Sequence, residues 1–179
     1  MSKKRMNSPE NYKFDCKPAI KDGVYCVTVR IMPEEVSRRR RKDFNSLLKN
    51  VFFDRRLYNC HHKIPLHLGG TNNPDNLVLM NKREHNMLHK YIIEPQIKGL
   101  MKGQTRDIIL PVMESDTFDF SSDKFAHFLD VYTERYGSYL ELRNYMKEIK
   151  TKPAKKPVFS DVDVDTLKAK TISEKYRNR

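Results

Sequence analysis

The period of hydrophobic positions changes several times along the chain, and each change marks an element. Residues 24–31 (VYCVTVRI) follow the turn signal Asp22-Gly23 and alternate in the manner of a strand. Val36, Phe44, Leu47, Leu48, Val51 and Phe52 then share one helical face, and Pro33, Glu34 and Glu35 suit a first helical turn, so a helix is predicted over about 33–52. Leu57 to Ile64 reads as a short strand, residues 65–74 as a polar turn region containing Gly69-Gly70, and Asn76 to Met80 as a second short strand. From Lys82 the period becomes helical, with Met87, Leu88, Tyr91 and Ile92 in one stripe; Pro95 is expected to end or kink that helix, with a short continuation to Gly103.

The pattern is weaker at both ends. Residues 1–12 have no periodicity and are read as a loose arm. In 104–121 the signal is ambiguous, with IILPVM a strand candidate whose Pro111 suits an edge. Ser122 and Asp123 can cap a helix to about Arg135, Gly137 separates it from a second helix to about Ile149, and Phe125, Phe128, Leu129 and Tyr132 are expected in the core. TKPAKKP (151–157) has linker composition, and a polar tail follows. The order of elements predicts an α+β fold.

Composition narrows the functional classes. With no apolar run of 18 residues and no apolar stretch behind the basic N-terminus, neither a membrane span nor a secretion signal is expected, and the compartment is read as cytoplasmic. Cys16, Cys26 and Cys60 form no CxxC pair, which argues against a disulfide framework or a four-cysteine zinc site. The net charge of +12 is uneven: residues 1–60 carry 15 basic against 7 acidic side chains, and 151–179 carry 8 against 4. Basic flanks of this kind suit a polyanionic phosphodiester partner, since neutralising phosphates releases counterions. The run Arg38, Arg39, Arg40, Arg41 and Lys42 lies on the predicted helix, where it can follow a nucleic-acid backbone.

The remaining chemistry is concentrated. Five of the six histidines fall in residues 58–90. His85 and His89 are four apart on the predicted helix, so both imidazoles face one side, at a spacing that can grip one metal ion. His61 and His62 are adjacent on a predicted strand and point to opposite sides, one toward the helix and one toward an approaching substrate. That division supplies one ligand and one base. Three protein ligands leave open positions for water and a phosphate oxygen, and an imidazole of pKa near 6.5 suits water deprotonation.

HHKIPLHLGG, NNPDNLVLM and the His-x-x-x-His of EHNMLH together resemble the HNH endonucleases, the ββα-metal nucleases, over about residues 58–90. In particular they resemble the three-histidine branch typified by nuclease colicins, since the chain lacks the two CxxC zinc knuckles of the other branch. The resemblance implies that His61, His85 and His89 hold one divalent ion, that His62 is the general base, and that Asn76 is the middle asparagine that braces the loop and orients the base. Gly69 and Gly70 would let the loop bend, and His67, at no invariant position, is read as a surface histidine. Arg55, Arg56, Lys63 and Arg83 are candidate contacts to the scissile phosphate.

The implied architecture is a ββα-metal core with an added N-terminal strand and basic helix and C-terminal helices. The corresponding division is a flexible basic arm (1–20), a nuclease domain (21–115), a helical subdomain (116–150) and a linker with basic tail (151–179). The implied activity is metal-dependent hydrolysis of DNA, by nicking or double-strand cleavage, with Mg²⁺ or Mn²⁺ active and Zn²⁺ or Ni²⁺ able to bind. A homodimer is one route to cutting both strands. A phage or mobile-element homing role is the preferred biological setting, with a restriction enzyme, a toxin or a catalytically silent nucleic-acid-binding or inhibitory protein as alternatives.

Overall fold

The computed structural model describes Phe14 and residues 16–49, 51, 53–114 and 116–151. The expected arm at 1–12, Phe52 and all but the first residue of the expected linker and tail lie outside the described residues. Ten elements follow in order: β1 (Ala19–Lys21), β2 (Val24–Arg30), α1 (Glu34–Leu48), β3 (Tyr58–His62), β4 (Leu77–Asn81), α2 (Lys82–Leu88), α3 (Glu94–Ile97), β5 (Thr105–Leu110), α4 (Asp123–Tyr136) and α5 (Leu140–Thr151).

Two antiparallel sheets form, one of three strands in the order β1-β2-β5 and one a β3-β4 hairpin. Asp22 and Gly23 both have positive φ, 52° and 73°, as a tight hairpin turn requires, so this pair joins two strands where the sequence pattern marked only the start of one. The extra strand, β1, begins inside the stretch expected to be a flexible arm (1–20) and ends one residue beyond it. Its three residues are all exposed, so it has no buried side to produce an alternating signal. β5 pairs along β2 from Tyr25↔Leu110 to Arg30↔Thr105 and stops one residue before Pro111, which suits its edge position.

α1 ends at Leu48, short of the expected 52. The Leu48 carbonyl is instead taken by the Arg55 guanidinium and by the amide of Val51, which turns the chain toward β3. α2 and α3 are one helical rod with a π-helical turn, His89–Ile93, between them. Pro95 therefore does not end this helix; it sits inside α3, just after the π turn, and the continuation beyond it stops at Ile97, short of Gly103. Proline lacks an N–H and its ring crowds the carbonyl four residues back, here that of Tyr91, and the wider π turn relieves that crowding. The Tyr91 carbonyl is satisfied from outside the helix by the Tyr132 hydroxyl of α4, which donates at 2.7 Å.

The outer edge of β4 is covered by the segment leading into α4: the Leu79 amide donates to Asp116 O (2.8 Å), and the Phe118 amide donates to Leu79 O (2.9 Å). Ser122 caps α4 as the sequence predicts, its hydroxyl accepting from the Phe125 amide. Phe118, Phe120, Phe125, Phe128 and Tyr132 form a chain of ring contacts, and Tyr145 of α5 joins it at Phe120. These rings share one continuous core with Val27 and Val29 of β2, Ile108 to Leu110 of β5, Val78 and Met80 of β4, and Leu88, Ile92 and Ile93 of the rod.

Candidate active site

The β3-β4 hairpin and the rod behind it assemble the histidines. His61 and His62 end β3 opposite Val78 and Leu77, and the pleat sends their side chains in opposite directions. Asn81 ends β4 and caps the rod by accepting from the Arg83 amide, so the chain passes from strand to helix without a loop. That fixes where the first helical turn sits relative to β3, and it brings His85 and His89 under His61.

The three imidazoles meet edge to face. Ring centroids of His61 and His85 are 5.0 Å apart, those of His61 and His89 5.2 Å, and those of His85 and His89 4.7 Å. One nitrogen of each lies within 4.8 Å of the others. His61 is 2% exposed, and its Nε2 is buried with no hydrogen-bond partner. A buried donor or acceptor left unpaired costs roughly 1–3 kcal/mol, so an unpaired ring nitrogen on a histidine clustered with two others fits a metal ion held by all three.

The electrostatics agree. Burial pushes the pKa of His61 well below the usual imidazole range and that of His89 to about 4, with each ring disfavouring a charge on its neighbours, and His85 is lowered in the same direction by burial. All three are therefore neutral near pH 7 with a lone pair to give, as metal ligation requires. The triad thus fits a single divalent ion with positions left for other ligands.

His62 lies on the other side of β3. Burial lowers its pKa to about 4, so it too is neutral and can accept a proton. Its ring stands edge-on to Phe44 of α1 at 4.3 Å, and its Nε2 lies 2.9 Å from Asn72 Oδ1. Asn76 does a different job. Its Oδ1 accepts from the Ile64 amide (2.8 Å), its Nδ2 donates to Ile64 O and Thr71 O, and its own carbonyl accepts from the Lys63 amide, so it clips the loop between the strands into shape. Gly70 is required in the same loop because a Cβ there would overlap the Ile64 carbonyl, and Gly69 has φ +101°.

A cavity of about 560 Å³ opens in front of the histidines, lined among others by Arg41, Asn45, Arg55, Lys82 and all five histidines of the segment. His67, expected at the surface, is among these lining residues. It is half-buried in the cavity wall, burial lowers its pKa, and its carbonyl is held by the Met32 amide. The signal for it was the same clustering that singled out the other four.

The arginine run diverges as the helix turns. Arg38 pairs with Glu34 on the exposed face, and Arg39 and Lys42 are exposed. Arg40 turns inward, donating to Gly70 O (2.6 Å) and Gly69 O (3.3 Å), and Arg41 reaches the cavity. Arg55 lies over the Phe53 ring at the cavity wall, while Arg56 is exposed and paired with Asp54 at 3.1 Å. Arg83 faces away from the triad, over the Tyr145 ring and 3.1 Å from Glu148. Lys63 lines a separate cavity on the far side of the loop with Cys16, Asn73 and Asp75.

Comparison with known proteins reaches the same stretch. Residues 49–91, which span the approach to β3, the hairpin, its loop and the ligand-bearing part of the rod, match the family model described as HNH endonuclease. Neither the curated proteins nor the solved structures returned a match. The strand-loop-strand-helix path through residues 58–89, with three imidazoles converging and a fourth held apart, lies wholly within the matched stretch, and over this segment the chain is similar to the HNH endonucleases.

Proposed function

We propose that the protein is a metal-dependent endonuclease that hydrolyses phosphodiester bonds of DNA. The observation that carries this is the cluster of His61, His85 and His89, with His61 Nε2 buried and unpaired, while the adjacent His62 is turned to the other side of the strand and held by Asn72.

When bound by His61, His85 and His89, a divalent ion would supply positive charge against the phosphate as negative charge accumulates in the transition state. The chain's own residues do the rest. His62, neutral at pH 7, accepts a proton from the attacking water. Arg41, Arg55 and Lys82 give the cavity wall fixed cations against the phosphates on either side of the scissile bond, and the exposed Arg38, Arg39 and Lys42 extend that charge along α1. Mg²⁺ or Mn²⁺ is the expected ion in turnover, since phosphate and water oxygens fill the open positions, whereas imidazole donors favour Zn²⁺ or Ni²⁺ by affinity.

Purified protein with Mg²⁺ or Mn²⁺ should nick or linearise plasmid DNA. His62→Ala should reduce the rate by roughly 10²–10⁴-fold with an unchanged circular-dichroism spectrum, the range general-base loss brings. Metal-dependent cleavage at the wild-type rate after that substitution would sink the base assignment. A chelator should stop cleavage and leave the protein folded; unfolding on chelation, with no cleavage under any ion, would favour a silent metal-stapled scaffold instead. Mapping the cut sites on long DNA then separates a homing-type enzyme from a non-specific one.

A further inference from the structure

We propose that Asn72 is the positioning residue of the base: it holds His62 as the Nε2–H tautomer, so that Nδ1 is the nitrogen left to take the proton from water. The catalytic meaning of this rests on the nuclease reading above; the tautomer itself does not.

The side-chain amide of Asn72 has two contacts. Its Nδ2 donates to the backbone carbonyl of Arg40 at 2.9 Å, and its Oδ1 lies 2.9 Å from His62 Nε2. A backbone carbonyl can only accept, so the NH₂ end must face Arg40 and the oxygen must face the imidazole. An amide oxygen also only accepts. The ring nitrogen opposite it therefore carries the hydrogen, and because a neutral imidazole has a single N–H, Nδ1 keeps the lone pair. The amide of Asn76 cannot serve this purpose, since it is engaged with Ile64 and Thr71.

The anchor for this arrangement is α1. Arg40 holds the loop twice, through its guanidinium on the carbonyls of Gly69 and Gly70 and through its own carbonyl on Asn72. Phe44, one turn further along the same helix, sets the tilt of the His62 ring. Helix, loop and strand thus close a circuit around one imidazole, the arrangement of a nucleophile-activating base held by a third group. The two asparagines divide the work, Asn76 shaping the loop and Asn72 choosing the nitrogen.

The test reads the tautomer without turnover. In the full chain labelled with ¹⁵N-histidine, long-range ¹H–¹⁵N spectra of the His62 ring, assigned by the signal lost in His62→Ala, should show the Nε2–H tautomer. In Asn72→Leu they should show a mixture. With plasmid DNA and Mg²⁺, Asn72→Leu should lower kcat by about 10- to 100-fold with KM unchanged, the usual effect of removing an outer-shell partner. An Nδ1–H tautomer in the wild type, or wild-type kcat in Asn72→Leu, would overturn the proposal. Should Asn72→Leu not fold, the wild-type tautomer still decides. A wild type that cleaves nothing with any divalent ion overturns the nuclease reading, and the tautomer measurement then rules separately on the Asn72 contact.

Discussion

His61 and His62 are neighbours in sequence with opposite surroundings: one is sealed against two imidazoles, the other stands between an aromatic ring and an amide. Beside them, Glu84 is another residue whose chemistry is set by burial. It is 2% exposed, accepts from the Tyr145 hydroxyl at 3.1 Å, has an unpaired Oε2, and burial raises its pKa to about 7. A carboxyl with a raised folded-state pKa binds more protons folded than unfolded between about 4.5 and 7. Its contribution is therefore full below 4.5 and is lost as pH rises through 7. The five lowered histidines act in the opposite sense, stabilising above pH 6.5 and losing that contribution as pH falls below it. Glu84→Gln keeps the shape and an acceptor for Tyr145 while removing the titration. Its stability relative to wild type, from urea unfolding, is expected to improve progressively from pH 4.5 to 7 by up to about 3 kcal/mol. A difference that does not change with pH would show that Glu84 is not titrating in the fold.

At the scale of elements, the rod from Lys82 to Ile97 shows how Pro95 is accommodated inside a helix. Pro95 removes the donor for the Tyr91 carbonyl, and local sequence offers no replacement. The replacement is the Tyr132 hydroxyl, 41 residues later in the chain. Tyr132→Phe should cost about 1 kcal/mol because it removes the hydrogen bond to a part-buried carbonyl. Pro95→Ala restores an N–H to the rod, so in a double-mutant cycle the pair should be less destabilised than the sum of the single changes. Strict additivity in chemical unfolding would show that the two groups do not share that carbonyl. The same reasoning applies to β1, whose pairing with β2 is supplied by a positive-φ turn and not by any pattern of its own.

Across the whole molecule, the helices after residue 115 complete the core that the hairpin and rod begin. Phe118, Phe120, Phe125, Phe128, Tyr132, Leu142, Tyr145 and Ile149 are all buried in the same cluster as Val78, Met80, Leu88 and Ile92. Burying one large apolar side chain contributes roughly 1.5–3 kcal/mol, against a net stability of about 5–15 kcal/mol for a whole domain. A chain ended at residue 114 loses eight of them. It should show no cooperative thermal transition by near-ultraviolet circular dichroism and should bind a hydrophobic dye; a sharp transition would mean that the hairpin and rod are self-sufficient. α5 also reaches the ligand helix directly, through Tyr145 on Glu84 and Glu148 on Arg83, the two residues that precede His85.

By itself the sequence determined the elements that repeat a period and the donors that must sit on them. The i, i+4 pair His85 and His89, the tandem His61-His62, and the loop glycines follow from helix pitch and strand pleat, which are local. Tertiary structure alone decided what a period cannot encode. Asn72, not Asn76, meets the His62 ring; Arg40 turns inward while Arg41 faces the cavity; and His67 joins the cavity wall. Each depends on α1 lying across a loop some 30 residues further on, a contact made by packing and by hydrogen bonds to backbone carbonyls, which carry no side-chain identity in the sequence.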